Sequence, residues 1–286
     1  MKYHAILIQT HANVELLKMV IQRMKSENHY FFVHVDKKNK NYTDFLKLAS
    51  KHVIFTDKRF DVKCGSIEQV YLTLELIKTA KTTEIPFDYY HLISGQDFPI
   101  RKNAIFDAIF ENNNKSYMEV DNNTPYSDRF MFFHLNGIIN VRSKWGRRIE
   151  KYSILIQKII NRNIRLRNKL EIKTYKGNNW WSLNSQIIDY IINFLKNNPH
   201  YTKRFRFTSC CDEVFFHTII FNSPLKNTVE LHDLRYIDWH KTYPSESTPR
   251  TLTEKDYNKI LSSNAVFMRK IDIDKSYLLI KKILQS

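Results

Sequence analysis

The first 120 residues alternate between apolar runs and stretches of helical periodicity. Residues 5–9 read as a buried strand and 15–24 as a helix. A second apolar run, 30–35, ends at His34-Val35-Asp36. Residues 45–50 have a helical pattern, 53–55 a short strand, and 67–80 place Ile67, Val70, Tyr71, Leu74 and Ile77 on one helical face. A further strand, 89–93, runs into the polar turn Ser94-Gly95-Gln96-Asp97, and 103–112 is helical. This alternation predicts an α/β fold with a parallel sheet covered on both faces. Ligands of such sheets bind beyond the carboxyl ends of the strands, where His11, Asp36 and the 94–97 turn stand. For His11 and Asp36 the alternative is hydrogen bonding within the turn.

The second half is less regular. Residues 144–173 are rich in Arg, Lys and Ile. A turn containing Gly177 and the pair Trp180-Trp181 precede a helix over 185–197. The pattern predicts a capped helix over 212–221, a strand at 236–239, and a helix over 253–262 with Thr253 as N-cap and Asp256 in its first turn. A strand at 266–271 and a helix over 276–284 close the chain. There is no internal repeat, and five glycines and seven prolines in 286 residues leave no long flexible linker. We expect one domain over residues 1–286, in halves 1–120 and 121–286.

Charge narrows the partners. With 45 Lys and Arg against 29 Asp and Glu the formal net charge is +16. That balance attracts nucleic acid, phosphorylated ligands or an anionic membrane face. No basic–aromatic recognition module is present, so nucleic acid is not expected. Cys64, Cys210 and Cys211 fit neither a disulfide framework nor a zinc pattern, which points to a reducing compartment. No signal-peptide pattern and no apolar run of about 18 residues occurs. The expected location is cytoplasmic, with peripheral contact at the inner face of the plasma membrane. That contact would come from the 144–169 stretch, where basic and apolar residues can separate onto two helical faces. A core-facing helix with a solvated basic side reads equally well.

Glu213 lies beside Asp212 and before Val214, Phe215 and Phe216. Apolar packing and a like-charged neighbour raise a carboxyl pKa, as a general base requires. An acidic pair at a helix start also serves as a dipole and capping device. Arg250, Arg269 and Lys270 could neutralise a diphosphate, or be ordinary surface charge. Trp180, Trp181 and Trp239 could stack on sugar rings or pack in the core. Two acidic pairs, Glu119-Val-Asp121 and Asp272-Ile-Asp274, mimic a metal-binding Asp-x-Asp. Neither sits after strand 89–93, where only Asp97 is available, so no bound divalent ion is expected there.

Six blocks in order carry a resemblance: residues 31–37, 89–100, 177–183, 212–218, 235–239 and 267–270. With them the chain resembles glycosyltransferase family 14, the core-2/I-branching N-acetylglucosaminyltransferases and protein O-xylosyltransferases, as a bacterial-type member. The resemblance implies the A-type glycosyltransferase fold, a nucleotide-binding sandwich, with residues 1–120 as the nucleotide-sugar half and 121–286 as the acceptor and catalytic half. It also implies an inverting reaction without metal or other cofactor. It puts Glu213 on the catalytic base and Asp36 on a nucleotide contact; His11, at the same sheet edge, could hold a base or ribose beside it. Lys270, Arg269 and Arg250 fall on or near diphosphate cations, and Trp239 on an acceptor-contacting aromatic. Asp97, Trp180 and Trp181 are further acceptor candidates. Cys64-Gly65 replaces the Trp-Gly of many members. The implied partners are a UDP-sugar, N-acetylglucosamine by family frequency, and a glycan or glycolipid acceptor of cell-surface polysaccharide or lipopolysaccharide. A basic nucleic-acid-binding protein, a non-catalytic sugar-binding module and a retaining transferase are the alternatives.

Overall fold

Strands β1 (His4–Thr10), β2 (His29–Val35), β3 (Val53–Phe55) and β4 (Tyr89–Ser94) pair in parallel, in the order β3-β2-β1-β4. The computed structural model describes residues 1–121, 128–141, 143–160, 172–240 and 248–286. Every residue of β1 and β2 is buried. Helices cover both sides of the sheet, so both faces of these strands must be apolar.

Alternation along the strands divides the core in two. Ala5, Leu7, Tyr30 and Phe32 join Val70, Leu76 and Ile77 of helix α3 (Glu68–Lys81) on one face. Ile6, Ile8, Phe31 and Val33 join Leu16, Leu17 and Val20 of α1 (Val14–Arg23) on the other. Phe106 and Phe110 of α4 (Asn103–Glu111) belong to that second cluster. Fully burying one such side chain contributes about 1.5–3 kcal/mol, so the two clusters dominate the stability. On α3 the buried set is Val70, Leu72, Thr73, Leu76, Ile77 and Ala80. Tyr71 and Leu74, expected on the inner face, lie at its margin. Residues 42–46 form the short helix α2, shifted from the expected 45–50.

The sheet continues with strands from the other half of the chain. β7 (Trp181–Asn184) lies antiparallel to β4, and β6 (Ser116–Met118) antiparallel to β7. β8 (Val229–Glu230) runs parallel to β6. In this seven-stranded, mostly parallel sheet β7 alone runs against the rest, and both halves of the chain contribute to it.

A second sheet forms beyond the carboxyl end of β4. β10 (Phe267–Arg269) pairs antiparallel with β5 (Asp97–Pro99) and parallel with β9 (Arg235–Ile237). Three further helices matter for the site: α5 (Asp128–Met131), α7 (Ser185–Asn197) and α8 (Asp212–Phe221). Helix α6 (Lys144–Ile160) lies between α5 and α7. The rest of the expected helix, residues 161–171, lies outside the described residues. Thr253 forms the expected capping box with Asp256.

Candidate active site

The ends of β1 and β2 meet where Asp36 N donates to the Thr10 carbonyl at 2.8 Å. The Asp36 carboxylate accepts from Lys38 N at 2.8 Å and Val62 N at 3.3 Å, and pairs with Lys38 Nζ at 3.4 Å. It is buried and serves its own turn, which was the alternative reading of this residue. His11 lies within reach of the charges on Asp36, Lys270, Lys38 and Arg269. Loss of solvation lowers its pKa, Asp36 opposes this, and the three cations lower it further, so the imidazole is neutral near pH 7.

Across the sheet end, Arg269 faces Asp97 in the β10–β5 register and pairs with its carboxylate at 3.3 Å. The same guanidinium donates to Ser94 Oγ and lies 4.6 Å from the centre of the Trp180 ring. Asp97 is 1% exposed, and its carboxylate also accepts from Ser94 N. Asp97 therefore orients the turn and Arg269, and is not placed to meet an acceptor. Gly95 is required here, because a Cβ would collide with the Thr10 side chain. The tryptophans divide. Trp181 is fully buried against Phe216, a core residue, which corrects its reading as an acceptor contact. Trp180 carries Arg269, while Trp239 is 54% exposed.

Trp239 and Lys270 leave the same edge of the small sheet, since Ile237 of β9 registers with Arg269 of β10. Between them runs Arg250, whose N donates to the Asp238 carbonyl at 2.8 Å. Its guanidinium pairs with Asp238 at 2.6 Å and Asp256 at 2.7 Å. Two carboxylates around one guanidinium make a net negative unit. Arg250 is thus placed as a structural tie for this loop and does not join the cations facing His11.

Glu213 sits in the first turn of α8. Its Oε2 accepts from Arg129 Nη1 of α5 at 2.6 Å, and Lys176 Nζ lies 4.0 Å away. Lys176 also pairs with Asp121 at 3.4 Å. About a third of the Glu213 side chain is open to solvent. The carboxyl that the acidic pair raises is Asp212: loss of solvation and the adjacent Glu213 push it up to about 7. Asp212 Oδ1 is buried with no hydrogen-bond partner among the described residues.

One short segment runs from the backbone of Glu213 to Arg269. Gly177 N donates to the Glu213 carbonyl at 2.9 Å, and three residues later Trp180 carries Arg269. A chain of that length spans at most about 11 Å, so the start of α8 and the Trp180 backbone lie on the same side of the molecule. Gly177 allows the approach, since a Cβ would collide with the Glu119 carbonyl and the His217 ring. Glu119, Asp121 and Asp233 add carboxylates on this side. Loss of solvation, Asp233 and Asp121 together raise the Glu119 pKa.

Arg129, Lys176 and Ser94 were not candidates from sequence. Arg129 reaches Glu213 across 84 residues, and nothing local marks it. Lys176 is marked only by preceding Gly177. Of the acidic pairs, Asp272 accepts from Asp274 N and Lys275 N and so caps its own turn. His4, His29 and Asp107 bring one ligand atom each within 4.8 Å of one another. They stand at the amino ends of β1 and β2, about 20 Å of strand away from His11 and Asp36.

With the geometry in place, comparison with known proteins is informative. Residues 5–261 match the model of the Core-2/I-branching enzyme family. The xylosyltransferase sqv-6 of Caenorhabditis briggsae is 24% identical over 234 residues, 79% of this chain and 27% of that protein. Rat xylosyltransferase 2 is 23% identical over 236 residues, 80% of this chain and 25% of that protein. The Arabidopsis thaliana β-glucuronosyltransferase GlcAT14B is 33% identical over 109 residues, 37% of this chain and 24% of that protein. The chain thus corresponds to about a quarter of the length of these relatives. Among solved structures, mouse xyloside xylosyltransferase 1 aligns with 96% of this chain and 99% of its own at 11% identity and a TM-score of 0.39. The family match spans most of the sequence, and the protein belongs to the Core-2/I-branching enzyme family.

Proposed function

We propose that the chain is an inverting, metal-independent glycosyltransferase that moves a sugar from a UDP-sugar to a hydroxyl of a glycan or glycolipid acceptor. N-acetylglucosamine is the first donor to test, and cell-surface polysaccharide or lipopolysaccharide the first acceptor class. The observation that carries the reading is the 176–180 segment. At one end its Gly177 N meets the Glu213 backbone carbonyl, and at the other its Trp180 ring carries the Arg269 guanidinium.

In this reading the diphosphate of the donor lies against Lys270 and Arg269, near neutral His11. Arg269 is held in place by Asp97, Ser94 and Trp180. Such preorganised contacts stabilise the charge that builds on the leaving group, and losing one costs about 3–4 kcal/mol of transition-state stabilisation. The acceptor hydroxyl gives its proton to Glu213 as its oxygen bonds to C1 of the sugar. The bond from C1 to the β-phosphate oxygen breaks on the opposite face, and UDP leaves. Arg129 occupies Oε2, so Oε1 is the oxygen that takes the proton. Trp239 is exposed at the same edge and suits an acceptor sugar face.

Release of UDP from a panel of UDP-sugars, with product configuration read by NMR, tests this reading. We expect acceptor-dependent release that survives EDTA and a product of inverted anomeric configuration. A strict requirement for a divalent ion, or retained configuration, contradicts it. Salt-dependent retention on DNA at physiological ionic strength, with no UDP release, would favour the nucleic-acid alternative.

A further inference from the structure

Helix α6 turns its apolar side away from the protein. Trp145, Ile149, Tyr152, Ile156, Ile159 and Ile160 are 49–75% exposed. At 3.6 residues per turn these six fall within an arc of about 100°. The side that touches the body is polar or small. Glu150 accepts from Leu135 N at 2.9 Å and pairs with His134 at 2.7 Å. Gln157 exchanges hydrogen bonds of 2.8 Å with both the N and the carbonyl of Phe133. Gly146 is buried against the Asn140 carbonyl. In an ordinary surface helix the apolar stripe faces the core and the polar one faces water, the reverse of this arrangement.

A third stripe explains what the exposed face meets. Lys144, Arg147, Arg148, Lys151 and Lys158 fall together within an arc of about 100° on the third side of the helix, between the body-facing and apolar sides. Four of them line an open depression of about 290 Å³. An apolar stripe bordered by a row of cations matches the boundary of an anionic bilayer, with acyl chains under the apolar face and headgroup phosphates against the cations. An antiparallel second copy of the helix fits less well, because pairing through the apolar stripe would bring two rows of like charge together. Among the described residues no helix is long and apolar enough to cross a membrane, so contact of this kind would be interfacial.

We infer that α6 docks the protein on membranes carrying anionic lipids, with its axis in the plane of the interface. The geometry ties this surface to the proposed site. Phe133, His134 and Leu135, which hold α6, follow Arg129 by four to six residues, and Arg129 holds Glu213. A docked α6 therefore brings the Glu213 side of the molecule close to acceptors carried on lipid. The docking itself does not depend on the catalytic reading, and its test needs no substrate.

The test is co-sedimentation of the full chain with vesicles of phosphatidylcholine alone and with 30% phosphatidylglycerol, at low and high salt. We expect binding that needs the anionic lipid and weakens with salt. The triple variant Arg147→Gln/Arg148→Gln/Lys151→Gln should bind about a hundredfold more weakly. The variant Ile149→Ser/Ile156→Ser/Ile159→Ser should lose binding while keeping its circular dichroism. Trp145 fluorescence, read as the difference from Trp145→Phe, should shift to the blue on vesicle addition. Absence of binding to anionic vesicles overturns the inference. So does a concentration-dependent dimer, seen by sedimentation velocity, that the isoleucine variant abolishes, because a second copy would then own the face.

Discussion

The Arg129 guanidinium donates to Oε2 of Glu213 at 2.6 Å, and in the proposed reaction this contact divides the work of the two carboxylate oxygens. One is held by a charge-assisted hydrogen bond, which fixes the rotamer. The other remains for a proton. Arg129→Ala should therefore lower kcat by about 10- to 100-fold, the range for losing one hydrogen bond to a charged group. KM for the donor should change little, because the described contact of the Arg129 side chain is with Glu213 and not with the Arg269 cluster. A loss confined to donor KM would place Arg129 elsewhere in the mechanism.

Lys270 and Arg269 leave the same strand end but meet different surroundings. Arg269 is clamped by Asp97, Ser94 and the Trp180 ring, whereas the charge of Lys270 acts on His11. Lys270→Ala should weaken UDP binding by about 10- to 100-fold and leave uridine binding nearly unchanged, as measured by calorimetry. Equal losses for both ligands would mean the lysine does not face the phosphates. Arg269→Lys should also weaken UDP, since an ammonium cannot reproduce a planar group stacked on Trp180.

The raised Asp212 carboxyl makes stability depend on pH. Folded, it titrates near 7; unfolded, at its ordinary value of 3.8. Between those values the folded chain holds a proton that the unfolded chain has released. The stabilisation is thus complete below about pH 4 and lost as pH rises through 7. Asp212→Asn keeps the uncharged shape at every pH. It should flatten the dependence of Tm on pH between 4 and 7 and raise Tm at pH 8, by roughly 2–4 °C for each kcal/mol gained. An unchanged slope in thermal melts would show that Asp212 is solvated.

The three thiols should separate by reactivity. Cys64 is exposed, Cys211 is buried, and loss of solvation with the nearby Asp212 and Glu213 pushes Cys210 up to about 12. A thiol-disulfide reagent at pH 8 should titrate one cysteine quickly in the native protein and all three in denaturant. Rapid reaction of two or more would show that the segment leading into α8 opens readily.

The fold was legible because its signal is local. Both faces of β1 and β2 are covered, so those strands are continuous apolar runs, and the helices between them keep their period. Strands β5 to β8 were hard to read because each has two to four residues and depends on partners far along the chain. β7 shows the difficulty best. Its Trp181 resembles a sugar platform in sequence, and only the antiparallel pairing to Leu92 places it in the core. In the site, positions were legible but pairings were not. Nothing near Arg250 in sequence tells whether Asp238 and Asp256 surround it, and nothing near Glu213 announces Arg129. The Asp212-Glu213 pair suggested a raised carboxyl at Glu213, whereas burial places the raised one at Asp212.

The most direct measurement of the central claim compares Glu213→Gln with the unmutated chain in two assays, sugar transfer and UDP binding. The amide keeps the size and the contact with Arg129 but cannot take a proton. Transfer should fall by about 10²–10⁴ while the Kd for UDP stays within about twofold. Retained turnover in Glu213→Gln would contradict the account and remove this carboxylate as the base.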